Sequence, residues 1–372
     1  MSATTIQRIR WRPWRIALKK PLLTSSGSWT YREGFLVSME TKGGKGIGEF
    51  APLPGYSKTQ NSYFDVVKSE FPKLLGIEPQ SLWGNPLTFA PEANCAIETC
   101  LADILAQQSG KSLAYWLAEK LGTPEPFTDV QVNGFIDSNN PKDAQKNATN
   151  LVENGYKTLK IKVGTSLLDD MKCISAVRSA VGEDIKIRID ANGSWNLTKT
   201  FIIMKIIERF KLEYCEEAIP FTEGKNLIVL RILHALTKVP LAVDESCRDQ
   251  KTLDKIIQSK AIENIIVKPA VSGLKESLAI IRNARKSGLK TIVTTTYDSG
   301  IGTTLAIHLA AATGEKSAHG LSTLDLLSGD LIENPPQIEN GNIVIPKNSG
   351  LGIKTDIQQL EQYATGDWEE VS

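Results

Sequence analysis

A short segment rich in β-branched residues, then a turn, then a charged amphipathic stretch recurs along this chain at a period of roughly 24 to 28 residues. Eight such segments can be counted, at 130–136, 158–164, 185–191, 214–219, 240–246, 264–270, 290–296 and 318–324. Between them lie helical patterns, among them 143–154, 168–181 and 273–287. Strands alternating with helices require right-handed βαβ units and a parallel sheet. Eight units predict an α/β fold with a (β/α)8-type, TIM-like barrel over 128–328, at the small end of what that architecture uses.

The chain has 372 residues, so much of it lies outside the barrel. Strand-like runs and turns fill the first 90 residues, and helical stretches follow at 91–108 and 112–121, which predicts an α+β domain over 1–127. The remaining 329–372, with Asn340-Gly341 between two apolar runs, reads as a hairpin that returns to this first domain. Lys plus Arg total 43 against 42 Asp plus Glu, a net charge of +1, which leaves no field to hold a nucleic acid or an anionic membrane. No apolar run has the length of a membrane helix. The N-terminal arginines interleave with Ile9, Trp11 and Trp14 as in a strand, not a secretory leader. Five cysteines without a Cys-x-x-Cys pair argue against a disulfide framework or structural zinc and for a reducing, cytoplasmic setting. Oligomeric state is left open.

Alternate residues of a barrel strand point to the lumen and to the surrounding helices. In Leu159-Lys160-Ile161-Lys162-Val163 the apolar face must pack on helices, so both lysines point inward. By the same parity Lys186, Arg188, Asp190 and Asn192 face the lumen on the next strand. Glu216, Asp244, Lys268 and Thr296 end the strands that follow. Catalytic side chains of such barrels gather at the C-terminal ends of the strands. Three carboxylates meeting there would repel one another, and a divalent cation resolves that. Oxygen-only ligands select Mg2+, with Mn2+ as the alternative. His234, His308 and His319 have no partner acid at a strand end and are expected to be structural.

These residues resemble the enolase superfamily, in the lysine–lysine branch that includes muconate lactonising enzymes and o-succinylbenzoate synthases. Lys160-Ile161-Lys162 is similar to that branch's Lys-x-Lys motif, Asp190-Ala191-Asn192-Gly193-Ser194-Trp195 to its Asp-Ala-Asn-x-x-Trp, and Asp244-Glu245-Ser246 to its third ligand motif. Lys268-Pro269 resembles the opposing lysine, and 46–55, Gly-Ile-Gly-Glu-Phe-Ala-Pro-Leu-Pro-Gly, a motif of the synthases' capping domain. Arg188, with Thr294-Thr295-Thr296 ahead of Ser299-Gly300-Ile301-Gly302, also favours the synthase. Glu216-Glu217 precedes Ala218-Ile219-Pro220 where the family has Glu-Glu-Pro or Glu-Gln-Pro, so the second ligand is either glutamate, with parity favouring Glu216. Leu321 to Asp325 lacks the Asp-x-Asp of dipeptide epimerases.

The resemblance implies Mg2+ on Asp190, Glu216 and Asp244, and Lys162 as the base that takes an α-proton to give an enediolate. Acting as a base near pH 7 asks a lysine for about 4 kcal/mol of help, which neighbouring positive charge from Lys160 and Arg188 supplies. Lys268 stabilises the intermediate as a cation. The implied reaction is the dehydration of 2-succinyl-6-hydroxy-2,4-cyclohexadiene-1-carboxylate to o-succinylbenzoate, for menaquinone or phylloquinone supply; the alternative is an N-succinylamino acid racemase or another racemase or epimerase of the branch. For this dicarboxylate substrate, Arg188, Asn192, Thr296, Ser299 and Gly300 are the expected contacts, the last two through free N–H groups at a helix start. Loops at 23–32 and 53–59 are expected to close the mouth.

Overall fold

The computed structural model describes residues 5–24, 27–53, 63–164, 166–219 and 226–372. Most of the loops expected over 53–59, and residues 25 and 26 of the loop at 23–32, lie outside the described residues, as do Pro54 and Gly55 of the capping motif and Pro220.

Three long strands, β1 (Arg8–Thr24), β2 (Gly27–Thr41) and β3 (Gly44–Phe50), form an antiparallel sheet. The helix Pro91–Gln108 lies directly on β3. Two glycines permit that approach: a Cβ on Gly46 would meet the Cys100 carbonyl oxygen at 2.1 Å, and one on Gly48 that of Ala96 at 2.2 Å. A second core of Ile9, Trp11, Phe35, Val37, Phe71 and Ile97 fills the space beneath.

The parallel sheet runs through β5 (Gly134–Ile136), β6 (Thr158–Lys162), β7 (Lys186–Asp190), β8 (Tyr214–Glu216), β9 (Leu241–Val243), β10 (Asn264–Val267) and β11 (Lys290–Val293), in chain order. This is an α/β fold with a curled, seven-stranded parallel sheet, consistent with a TIM-like barrel. Two expectations change. The first segment splits, since β4 (Asp129–Gln131) leaves the parallel sheet to pair antiparallel with β12 (Asn342–Val344), and only β5 joins it. The eighth segment is not a continuous strand. Its residues His319 and Gly320 make single parallel bridges, to Val132 and Thr294, so that one short stretch hydrogen-bonds to both edges of the sheet. Asn340 and Gly341, at φ 51° and 72°, make the expected tight turn, but its second arm is β12 on β4. The return to the first sheet is made later, by β13 (Glu369–Val371) pairing with β1.

Strand parity is as the alternation requires. Leu159, Ile161, Ile187, Ile189, Cys215, Val243, Ile265 and Val267 belong to the large core shared with the helices. Tyr214, Ala242, Ile266 and Ile292 form a separate small cluster, an internal layer of the sheet's concave side. All five cysteines are buried and unpaired. Among the described residues no helix is long and apolar enough to cross a membrane. His308 and His319 are buried and accept from Ala114 N and Val293 N at 3.1 and 3.0 Å, and burial holds them down at about 4 and about 3. His234 has an acid partner after all, Glu263 at 2.9 Å, though on the barrel's other end, just before β10 begins.

Candidate active site

Register brings the predicted residues together one pleat above the internal layer. Lys162 stands beside Asp190, and Asp190 beside Glu216. Asp244 and Lys268 follow β9 and β10 directly. The order across the sheet is therefore Lys268, Asp244, Glu216, Asp190, Lys162: three buried carboxylates with a lysine-bearing strand on either side.

The ammonium of Lys160 sits between Asp190 Oδ2 at 2.8 Å and Glu216 Oε1 at 2.6 Å, and Lys268 Nζ contacts Asp244 Oδ2. Burial by itself would depress Lys160, but Asp190 and Glu216 outweigh it and keep the ammonium well above the ordinary lysine range. Lys268 is likewise raised by Asp244 and Glu245 against the effect of burial. Burial would raise Asp190, yet Lys160 keeps it below the usual carboxylate value. Burial and then the charge of Asp190 push Glu216 well up, more than Lys160 pulls it down. Burial and Glu245 lift Asp244 to about 6. Glu216 and Asp244 are thus disfavoured as anions, burial being the first cause in both, while Asp190 is favoured as one.

With the carboxylates drawn onto the lysines, no set of three is arranged around a common metal point among the described residues. Their chemistry nevertheless fits a hard cation: all donors are oxygens, and Glu216 Oε2 is buried without a partner. Glu217 is engaged elsewhere. Its backbone sits at φ 42°, and its carboxylate is taken by Asp244 N at 2.7 Å, Ser246 N at 3.0 Å and Ser246 Oγ at 2.8 Å. It braces the turn that presents Asp244.

The expected substrate contacts are placed differently. Arg188 is fully buried in the internal layer, where it donates to Glu213 Oε2 at 2.6 Å and the Ala318 carbonyl at 2.8 Å and lies over the Tyr214 ring. Thr296 donates through N and Oγ1 to Asp298 at 3.0 and 2.6 Å. Asn192, exposed at φ 44°, gives its N–H to Asp190 Oδ1 at 3.0 Å. The anion at the start of the helix Gly300–Thr313 is the protein's own. Glu49 of β3 accepts from Ser299 N at 3.0 Å, Ser299 Oγ at 2.5 Å and Gly302 N at 2.9 Å. Gly300 N donates to Asp330 at 2.8 Å. These two acids tie the first domain and the C-terminal segment to the end of β11. The sequence reading quoted Glu49 within a motif without this role and missed Glu213 and Asp330. The available signal for Glu213 was an acid immediately ahead of β8, on the strand that pairs with β7 at Arg188.

A parallel α/β sheet with acids and lysines at its strand ends is the arrangement of an enzyme. Residues 143–360 match the family model described as "Enolase C-terminal domain-like". The chain thus belongs to the enolase superfamily. It is 25% identical over 348 residues to the D-Ala-D/L-Ala epimerase of Cytophaga hutchinsonii, covering 91% of this chain and 92% of that protein. It is 31% identical over 227 residues to the o-succinylbenzoate synthase of Thermobifida fusca, covering 60% and 68%. The crystal structure of N-succinyl Arg/Lys racemase from Bacillus cereus superposes with a TM-score of 0.88 over 99% of this chain and 100% of that one, at 22% identity, a likeness of fold alone.

Proposed function

We propose that this protein is a racemase or epimerase acting on the α-carbon of an N-acylated amino acid, with N-succinylamino acids as the first class to test. The single observation that carries this is the placement of Lys162 and Lys268 on strands that flank the three carboxylates from opposite sides. Inversion at carbon needs a base on one face and an acid on the other. Lys162 takes the α-proton, and Lys268, held as an ammonium by Asp244, returns one to the opposite face. Asp190, Glu216 and Asp244 are the Mg2+ ligands, with Lys160 positioning the first two. When bound, the ion supplies positive charge against the substrate carboxylate and its enediolate. Similarity in sequence to the D-Ala-D/L-Ala epimerase over 91% of this chain and to an N-succinyl-L-Arg/Lys racemase of Bacillus cereus over 80% supports this reading above the dehydration expected from the motifs. The solved dipeptide epimerase of Cytophaga hutchinsonii, complexed with Mg, supports the choice of metal. A dipeptide carries a free ammonium, and Asp325, the nearest acid after the eighth segment, is exposed and without an acidic neighbour two residues before it.

The second reading, o-succinylbenzoate synthase, rests on the 31% identity to the Thermobifida fusca enzyme. There Lys162 removes the proton and protonates the leaving hydroxide, and Lys268 stays a cation. Circular dichroism of enantiopure N-succinylamino acids, beside ultraviolet absorbance of the cyclohexadiene substrate, separates the two. Loss of optical activity that requires both Lys162 and Lys268 supports the racemase. Diene loss that survives without proton transfer from Lys268 supports the synthase, and neither signal refutes both.

A further inference from the structure

Apolar surface is unevenly spread over the outside of the barrel. Of thirteen large apolar side chains exposed among the described residues, seven lie on three consecutive helices, Leu167–Val181, Leu197–Ile207 and Leu227–Leu236. The first abuts the turn Glu208–Phe210 that ends the second, and the second packs on the third, so the three share one flank. On the third helix Leu230 and Leu233 belong to the large core. Yet Ile228, Ile232 and Leu236, spaced four residues apart on the outer side, are 73, 44 and 56% exposed. A helix apolar on both sides calls for a cover on its outer side. Ile202 and Ile206 repeat the spacing on the second helix, at 51 and 36%.

The same flank is basic. Lys199, Lys205, Arg209, Arg231 and Lys238 are all exposed. The stretches 197–210 and 227–238 contain a single acid, Glu208, and its carboxylate already accepts from Lys205 Nζ at 3.0 Å and Lys238 N at 3.1 Å. Arg209 also lines a shallow groove of about 500 Å3 on the first helix, where Pro141, Leu168, Met171 and Ala176 supply an apolar wall and Lys172 a second cation. The net charge of +1 is an average over the whole chain and hides this local excess.

We propose that this flank, centred on Ile202, Ile206, Ile228 and Ile232, is a docking surface for an anionic membrane. The charge decides the occupant. A second copy on a two-fold axis would set the patch against itself, cation on cation, with Glu208 already engaged. An anionic bilayer matches both features: isoleucine and leucine side chains enter the boundary between headgroups and acyl chains, while lysine and arginine stems carry their charges to the lipid phosphates. Docking by the flank leaves the mouth, at the strand ends, open to substrate. It does not depend on which reaction Lys162 and Lys268 perform.

The test is co-sedimentation of the full chain with vesicles of phosphatidylglycerol mixed with phosphatidylcholine, and with vesicles of phosphatidylcholine alone, beside sedimentation velocity without lipid. The wild-type protein should partition onto the anionic vesicles at least about tenfold more strongly than onto the neutral ones, and added salt should shrink that ratio. Lys199→Gln together with Arg231→Gln should lower anionic binding by about fivefold for each charge removed. Ile228→Ser together with Ile232→Ser should lower it by about tenfold or more. Both pairs replace exposed side chains, so the melting curve should stay as in the wild type. No binding to either vesicle, equal binding to both, or anionic binding that survives either pair of substitutions overturns the proposal. A dimer in sedimentation velocity that Ile228→Ser with Ile232→Ser turns into a monomer overturns it too, because the flank is then an interface between copies.

Discussion

Glu49 joins the two sheets, and its environment sets the sign of a pH dependence. Its carboxylate is wholly buried at the start of the helix Gly300–Thr313, where burial first, and Asp298 second, raise it from 4.5 to about 7 despite the donors at Ser299 and Gly302. A carboxylate raised in the folded state binds its proton there while the unfolded chain has already lost it. Between about pH 4.5 and 7 the folded form thus carries the extra proton, and its stabilising contribution is lost as pH rises through that window. The shift of about 2.5 units corresponds to about 3 kcal/mol at 1.36 kcal/mol per unit. Glu49→Gln cannot titrate and, like the protonated acid, presents one acceptor oxygen and one donor, so its stability lacks this dependence. The measurement is urea unfolding of both proteins, followed by tryptophan fluorescence from pH 4.5 to 8. The wild-type advantage should shrink by about 3 kcal/mol across the window and level off above it. A constant difference, or one that grows with pH, would refute the reasoning.

Three further outcomes follow from named contacts. Glu216→Gln should abolish Mg2+ binding in calorimetry, whereas Glu217→Ala should weaken it by less and lower stability by about 1–3 kcal/mol, because it removes the acceptor from Asp244 N and Ser246 N; equal effects on Mg2+ would contradict the assignment. Lys160→Met leaves Asp190 and Glu216 buried without their ammonium. It should cost about 3–5 kcal/mol in EDTA and regain much of that in Mg2+, read as melting temperature, and a metal-independent loss would count against the carboxylate trio as a cation site. Gly48→Ala puts a methyl 2.2 Å from the Ala96 carbonyl oxygen, so it should destabilise by at least about 1–3 kcal/mol, and a neutral result would contradict the close helix–sheet packing.

The site was legible in the sequence where chemistry follows from local alternation. Lys162, Asp190, Glu216, Asp244 and Lys268 could be grouped because each stands at or just past the end of a short strand in lumen phase, with Lys160 one pleat below Lys162, and period 2 fixes that phase without any knowledge of neighbours. What depended on distant chain was not legible. Ser299 and Gly300 looked free because the carboxylates that fill their N–H groups come from Glu49, 250 residues earlier, and from Asp330, in the C-terminal segment. Arg188 was read correctly as inward, but its depth puts it among Glu213, Tyr214 and Ala318. The segment 130–136 read as one strand because alternation continues through Val132, where the chain passes from an antiparallel partner to a parallel one.

The most direct test of the central claim is solvent deuterium incorporation. Proton NMR in D2O would follow the α-proton of N-succinyl-L-lysine and of N-succinyl-L-norleucine with Mg2+, with EDTA, and with Lys162→Ala and Lys268→Ala. The account predicts metal-dependent loss of the α-proton resonance with racemisation, and little turnover in either lysine variant. An α-proton that persists in the wild-type protein with Mg2+ would contradict it.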